Sequence, residues 1–122
     1  MPIKNRLSEL HAEIIGWRHD IHAHPELRFQ EHRTANLVAE LLRGFGCDEV
    51  VVEIGQTGVI GVIHGRQTTT DITIGFRADM DALPLQEITG LAHASVHSGK
   101  MHACGHDGHT AILLGTAKYL AE

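Results

Sequence analysis

The segment from Met101 to Thr110, MHACGHDGHT, holds the side chains best suited to chemistry. Cys104 and His106 lie two positions apart around Gly105, so both can point to the same side of an extended or turning backbone. A thiolate and an imidazole are both zinc ligands, and several other first-row metals accept imidazole. A helix beginning behind them would add partial positive charge and favour the thiolate form of Cys104. The pattern indicates a divalent-metal site.

Two acids and two further histidines are also candidates. Asp79 and Asp81 follow a predicted strand in RADMDALP, and open α/β sheets often present functional groups at the carboxyl ends of strands. One of them could orient a metal ligand, although for Asp79 a role in solvating the turn explains the residue equally well. His22 and His24, in HAHPEL, have the spacing of ligands, and we favour a structural role for both.

Other chemistries have less support. The sequence contains no GxSxG, no GxxxxGK[ST] and no GxGxxG segment. Cys104 could instead be a catalytic nucleophile with His106 or His109 as its base, and this alternative stays open. Cys47 follows Gly46 at the close of a predicted helix, and we expect it to be a packing thiol.

The composition limits the class of protein. The 122 residues are 43% hydrophobic and 20% charged, which fits one globular module. A net charge of -5 argues against a nucleic-acid partner. No apolar run approaches the ~20 residues that cross a bilayer, and the first ten residues lack the apolar core of a signal peptide. With only two cysteines, we expect a cytoplasmic protein without a membrane partner.

Three helices are predicted from apolar residues that recur every three or four positions. The first covers about 7–22, and the second is marked by apolar residues from Ala35 to Phe45. The third is marked by apolar residues from Ile112 to Leu120, with Asp107 or Thr110 capping its N-terminus.

Between the second and third helices the pattern changes to short β-branched runs, which predict strands at 50–54, 59–64 and 71–77. Residues 65–70 would form a hairpin turn between the second and third strands. The connection at 84–103 has no regular period, and irregular segments of that length usually border a functional site. The elements predict an α/β fold with helices packed on a mixed, at least partly antiparallel sheet.

Three stretches, HAHPELRFQE, GFRADMDALPLQE and GKMHACGHDGHTAILLGTAKYLAE, resemble in order and spacing the amino-terminal third of the M20 family of metal-dependent amidohydrolases. The subgroup contains hippurate hydrolase, N-acyl-L-amino acid amidohydrolase and the indole-3-acetyl-amino acid hydrolases. The resemblance covers nearly the whole chain, and the CGHDGH block is highly specific. It implies hydrolysis of the amide bond of an N-acyl amino acid by two adjacent divalent ions and a glutamate general base. Zinc, manganese, cobalt and nickel are all open as the metal.

The resemblance also implies roles for single residues. Cys104 and His106 match the two metal ligands that the subgroup has in this block. Related branches carry a His-x-Asp motif in which the His binds metal and the Asp orients it. Here Asp79 stands at the His position and Asp81 at the Asp position. Asp81 is therefore expected to orient a ligand, while Asp79 has no assigned role, and His109 has none either.

Family members are much longer than this chain and contain an inserted lid or dimerisation domain. We therefore expect residues 1–122 to be the amino-terminal part of a zinc-exopeptidase-like catalytic domain, without the general-base glutamate and the remaining ligands. Such a part would be nearly or wholly inactive by itself. The intact enzyme would act on small N-acyl amino acids as a homo-oligomer. The alternative is a non-catalytic metal-binding or interaction module.

Overall fold

The computed structural model describes residues 2–67 and 69–122, and its elements confirm the predicted α/β class. In chain order they are α1 (Ile3–Ala23), α2 (His32–Gly44), β1 (Glu49–Ile54), β2 (Gly58–Val62) and α3 (His106–Ala121). Within the described ranges, no helix combines the length and the apolar character needed to cross a membrane.

Helix α1 forms where the apolar stripe predicted it, with Leu10 and Ile21 completely buried. It ends at Ala23 because Pro25 disfavours helical angles in the residue before it. The N-terminus of α2 is stabilised from outside the helix. The carboxylate of Glu26 accepts hydrogen bonds from the backbone N–H groups of Arg33 and Thr34, which have no carbonyl partner within the helix.

The sheet is smaller than predicted. Strands β1 and β2 pair antiparallel, with Val51 opposite Ile60, and they are the only strands that the structure assigns within its described residues. Residues 71–77 form no strand, so the third predicted strand is wrong, while the expected antiparallel pairing is confirmed by β1 and β2. An alternation of apolar side chains produces a strand only where a neighbouring strand pairs with the segment and other residues cover one of its faces. Here the apolar side chains are exposed, namely Ile72, Ile74 and Phe76. The predicted turn at 65–70 includes Thr68, which lies outside the described residues.

Helix α3 begins earlier than its apolar pattern suggested. Gly105 is its N-cap, with a left-handed φ of 87°, and no side chain caps the helix. The predicted cap at Asp107 or Thr110 is therefore wrong, because both residues lie inside the helix and bond to other segments. Ile112 is exposed, and the buried side of α3 includes small residues such as Ala111 and Gly115.

The hydrophobic core lies between α2, the sheet and α3. Val38 and Leu42 of α2 meet Leu114 of α3 there. Cys47 packs against this cluster, and burial raises the pKa of its thiol. The expected packing role of Cys47 thus agrees with the structure.

The connection, residues 84–103, is irregular as predicted, yet it is anchored. Leu83 and Met101 exchange backbone hydrogen bonds of 2.9 and 3.0 Å across its base. In its middle, the N–H of Val96 donates to the carbonyl of Ala23 at 2.9 Å. The connection is thereby held against the end of α1.

Helices α1 and α3 approach closely at Gly115, and this contact allows a test of the packing. A Cβ at Gly115 would lie 2.5 Å from Cδ1 and 2.9 Å from Cγ1 of Ile14. We expect Gly115→Ala to lower the free energy of unfolding by about 1 kcal/mol, because overpacking outweighs the better helix propensity of Ala. Gly16→Ala is the control, since nothing lies within 4 Å of its Cβ, and it should be neutral or stabilising. If urea denaturation showed that both substitutions stabilise the protein equally, the close contact between Gly115 and Ile14 would be contradicted.

Candidate metal centre

His106 and Asp81 form the best-defined contact of the candidate site. The Nδ1 of His106 lies 2.9 Å from Oδ1 of Asp81 and 3.1 Å from its backbone oxygen. Both partners are acceptors, so Nδ1 carries the hydrogen and Nε2 keeps its lone pair. No hydrogen bond to Nε2 occurs within the described residues. Metal-ligating histidines commonly donate their other ring N–H to a carboxylate or a carbonyl in this way.

Cys104 lies in the turn just before α3, and its side chain is exposed. Gly105 permits that turn because its positive φ is costly for residues with a Cβ. His109, also exposed, has its ring centroid 6.0 Å from that of His106. The turn thus presents an accessible thiol and an oriented imidazole two residues apart.

Asp79 has a different environment from Asp81. Its Oδ1 accepts hydrogen bonds of 2.6 and 3.1 Å from the guanidinium of Arg77, which is largely exposed. Its backbone carbonyl accepts a hydrogen bond from the Thr110 hydroxyl at 2.9 Å. That bond ties the segment around Asp79 to α3. The Asp79 carboxylate itself makes no hydrogen bond to another candidate site residue within the described part of the chain.

A buried histidine lies behind the site. The Nδ1 of His22 is 2.8 Å from Oδ2 of Asp107, and its Nε2 is 3.1 and 3.2 Å from the two carboxylate oxygens of Glu87. Both ring nitrogens are occupied, which fits the structural role favoured from the sequence. His24 fits such a role too, since its Nδ1 lies 2.7 Å from the carbonyl of Asp20. Sequence reasoning did not single out Glu87, and it gave Asp107 the wrong role.

Both carboxylates that hold His22 have pKa values below the ordinary range. Burial alone would raise the pKa of Asp107, but hydrogen bonds from His22 and the Gly108 N–H outweigh it. Burial would likewise raise the pKa of Glu87, and hydrogen bonds from the Thr89 hydroxyl, a backbone N–H and His22 outweigh it there. Both groups are therefore ionised at neutral pH.

His102 is a second buried histidine near the site, only 4% exposed. Among the residues that the structure describes, neither of its ring nitrogens has a hydrogen-bond partner. Burial lowers its pKa, so the ring is neutral near pH 7. Apart from the abundance of histidine, nothing in the sequence indicates this burial.

The donor set fits a divalent ion of the zinc type. Thiolate and imidazole are ligands that these ions accept, and the hydrogen bond that His106 donates to Asp81 orients the ring as it would a bound ligand. Over ranges 2–67 and 69–122, no three or more His, Cys, Asp or Glu residues converge in a way that could hold an ion. Cys104 and His106 would therefore need water or groups outside these ranges to complete the coordination.

Comparison with known proteins shows which family this chain is similar to. The sequence profile of Peptidase family M20/M25/M40 matches residues 75–122. The chain is 56% identical to the hippurate hydrolase of Campylobacter jejuni over 114 residues, which is 93% of this chain and 29% of that enzyme. It is 48% identical to the N-acyl-L-amino acid amidohydrolase of Geobacillus stearothermophilus over 120 residues, 98% of this chain and 32% of that enzyme.

Comparison of the backbone with solved structures points to the same family. The crystal structure of the Bacillus subtilis YXEP protein, described as a dinuclear metal binding peptidase from the M20 family, superposes with a TM-score of 0.86 at 44% identity. The match covers 93% of this chain and 31% of that one, so the chain spans about three tenths of the length of its relatives. By sequence and by fold, this chain is similar to M20 family members over the part of their length that it spans.

Proposed function

We propose that this chain supplies Cys104 and His106 as two ligands of the divalent-metal centre of an amidohydrolase, and that Asp81 orients His106. The observation that carries the proposal is the contact of His106 Nδ1 with both Asp81 oxygens, which leaves Nε2 available to an ion. The relatives named for hydrolysis of hippurate and of N-acyl-L-amino acids give the reaction class. The substrate would be a small N-acyl amino acid, cleaved at its amide bond.

Two divalent ions bound in such a centre would polarise the amide carbonyl and activate a water molecule. The residues of this chain would act by position. Asp81 keeps the proton of His106 on Nδ1, and Cys104 offers a sulfur donor from an exposed turn. Zinc, manganese, cobalt and nickel all bind imidazole, so His106 by itself does not select among them.

The proposed metal centre would lie within a larger catalytic domain. Residues 1–122 would be the amino-terminal part of the catalytic domain, and the general-base glutamate, the other ligands and the lid would come from sequence that this chain does not include. The intact enzyme would be a cytoplasmic homo-oligomer without nucleic-acid or membrane partners. Both cysteines are free thiols, which supports a reducing compartment.

A chimera tests the proposed activity. We expect this chain, exchanged for the matching segment of the Campylobacter jejuni hippurate hydrolase, to give an enzyme that hydrolyses hippurate. The reason is that the two segments are 56% identical, so the chain should present its ligands to the rest of that enzyme. The chain alone should show little or no hydrolysis, because general-base catalysis needs a positioned base.

The control chimeras carry Cys104→Ala or His106→Ala and should lose hydrolysis and bound metal together. Release of glycine and metal content would be measured on each folded chimera. A folded, metal-loaded chimera that fails to hydrolyse hippurate would favour the non-catalytic metal-binding module instead. If both alanine variants hydrolysed hippurate at the full rate, Cys104 and His106 would not be ligands of the proposed centre.

A further inference from the structure

Two bridges join the same two parts of the chain beside the proposed metal centre. The first is the contact between His106, at the start of α3, and Asp81, just ahead of the connection. The second runs through His22 of α1. Its ring lies between Asp107, the next residue of α3, and Glu87, within the connection. Two separate sets of hydrogen bonds therefore hold the segment that carries His106 against the segment that follows Asp81.

The second bridge is buried and charged. The side chains of His22, Glu87 and Asp107 are 5%, 2% and 1% exposed. Each ring nitrogen of His22 lies within hydrogen-bond distance of one of these carboxylates, Nδ1 at 2.8 Å from Asp107 and Nε2 at 3.1 Å from Glu87. Hydrogen bonds to ionised groups are short and strong, and they gain strength away from water. The Nε of Arg18 reaches the same oxygen of Asp107 at 3.3 Å. The first turn of α3 cannot shift against the connection without breaking these contacts.

We infer that His22 is a positioning residue for the proposed metal ligands. It fixes the first turn of α3 against the connection, and thereby holds His106 in line with Asp81. It is not itself a ligand, since carboxylates occupy both of its ring nitrogens. The inference rests on the proposed metal centre, which it extends from the ligands to the residue that holds them in place.

Loss of the bridge should appear as weaker metal binding by folded protein. We expect His22→Ala to lower the affinity of the chain for cobalt(II) about tenfold, at the lower end of the range for residues that orient metal ligands. The near-ultraviolet absorption that cobalt gains from a thiolate ligand should weaken in parallel. Amide hydrogen exchange in the first turn of α3 should become faster.

The experiment is a cobalt(II) titration of the unaltered 122-residue chain, His22→Ala and Glu87→Gln, followed by absorption. Leu10→Ala is the control for lost stability. It opens a cavity in the same helix, twelve residues or about 18 Å from His22. Circular dichroism would establish that each protein is folded at the titration temperature. The control should bind cobalt like the unaltered chain, because lost core packing does not move the ligands.

The outcomes separate the bridge from a general effect on folding. The double variant His22→Ala/Glu87→Gln should lose no more affinity than His22→Ala, since both changes break one bridge. Unchanged affinity in folded His22→Ala, or an equal loss in Leu10→Ala, would overturn the inference. If His22→Ala does not fold, Glu87→Gln decides in the same way. A thiolate band that is absent from the unaltered chain, or that survives Cys104→Ala, would count against the metal centre itself.

Discussion

Asp81→Ala is expected to weaken metal binding by the chain about 10–100-fold, the range found when a residue behind a metal-bound histidine is removed. The carboxylate of Asp81 accepts from Nδ1 of His106 and so fixes both the tautomer and the direction of the ring. Without that oxygen the ring can turn, and its Nε2 points at the ion only part of the time. Isothermal titration with zinc or manganese would measure the loss.

Two further variants make this test specific. Asp81→Asn keeps an oxygen acceptor but loses the charge, so its affinity should lie between those of the unaltered chain and Asp81→Ala. Asp79→Ala removes a carboxylate that lies against Arg77, and it should change binding little. A loss in Asp79→Ala as large as that in Asp81→Ala would give Asp79 the role that the sequence left unassigned. Unchanged binding in all three would show that His106 needs no orienting partner.

Patterns local in the sequence predicted the helices and the turn before α3 well. The stripe through Leu10 and Ile21 gave α1 because a helix repeats its buried positions within a few residues. Cys104, Gly105 and His106 were predicted in an extended or turning backbone just before a helix, and in the structure Gly105 is the N-cap and His106 the first residue of α3. In each case neighbours along the chain supply most of the information.

Features that depend on distant partners were missed. Residues 71–77 alternate as a strand would, but the pattern does not report whether a neighbouring strand is present, and none pairs there among the described residues. Asp107 has the position of a capping residue, yet its carboxylate turns toward His22, 85 positions away. The contact of His22 with Glu87, 65 positions away, likewise leaves no trace in local spacing. Burial of such polar groups is decided by tertiary packing.

Acid should destabilise the chain through Glu87. Its pKa is lower in the folded chain than the value of about 4.3 of an unfolded glutamate, so the unfolded chain binds more protons between the two values. The stabilisation is fully present above about pH 4.3 and is lost as the pH falls through the folded pKa. The titratable groups that face Glu87 are His22 of α1 and His93 of the connection. The free energy of unfolding, measured in urea from pH 7 to pH 3, should therefore fall steeply at the acid end.

Glu87→Gln separates this carboxylate from the other acids. At pH 7 the variant should be less stable by about 2 kcal/mol, because an amide nitrogen cannot accept a hydrogen bond and one of the donors facing position 87 loses its partner. Below pH 4.3 its stability should fall less steeply, since Gln does not titrate. Glu13→Gln is the matched control: its carboxylate pairs with Lys118 at the surface, so it should change the stability at pH 7 by less than about 1 kcal/mol. Parallel acid curves for Glu87→Gln and the unaltered chain would mean that Glu87 does not hold its bridge to His22 as an ionised group.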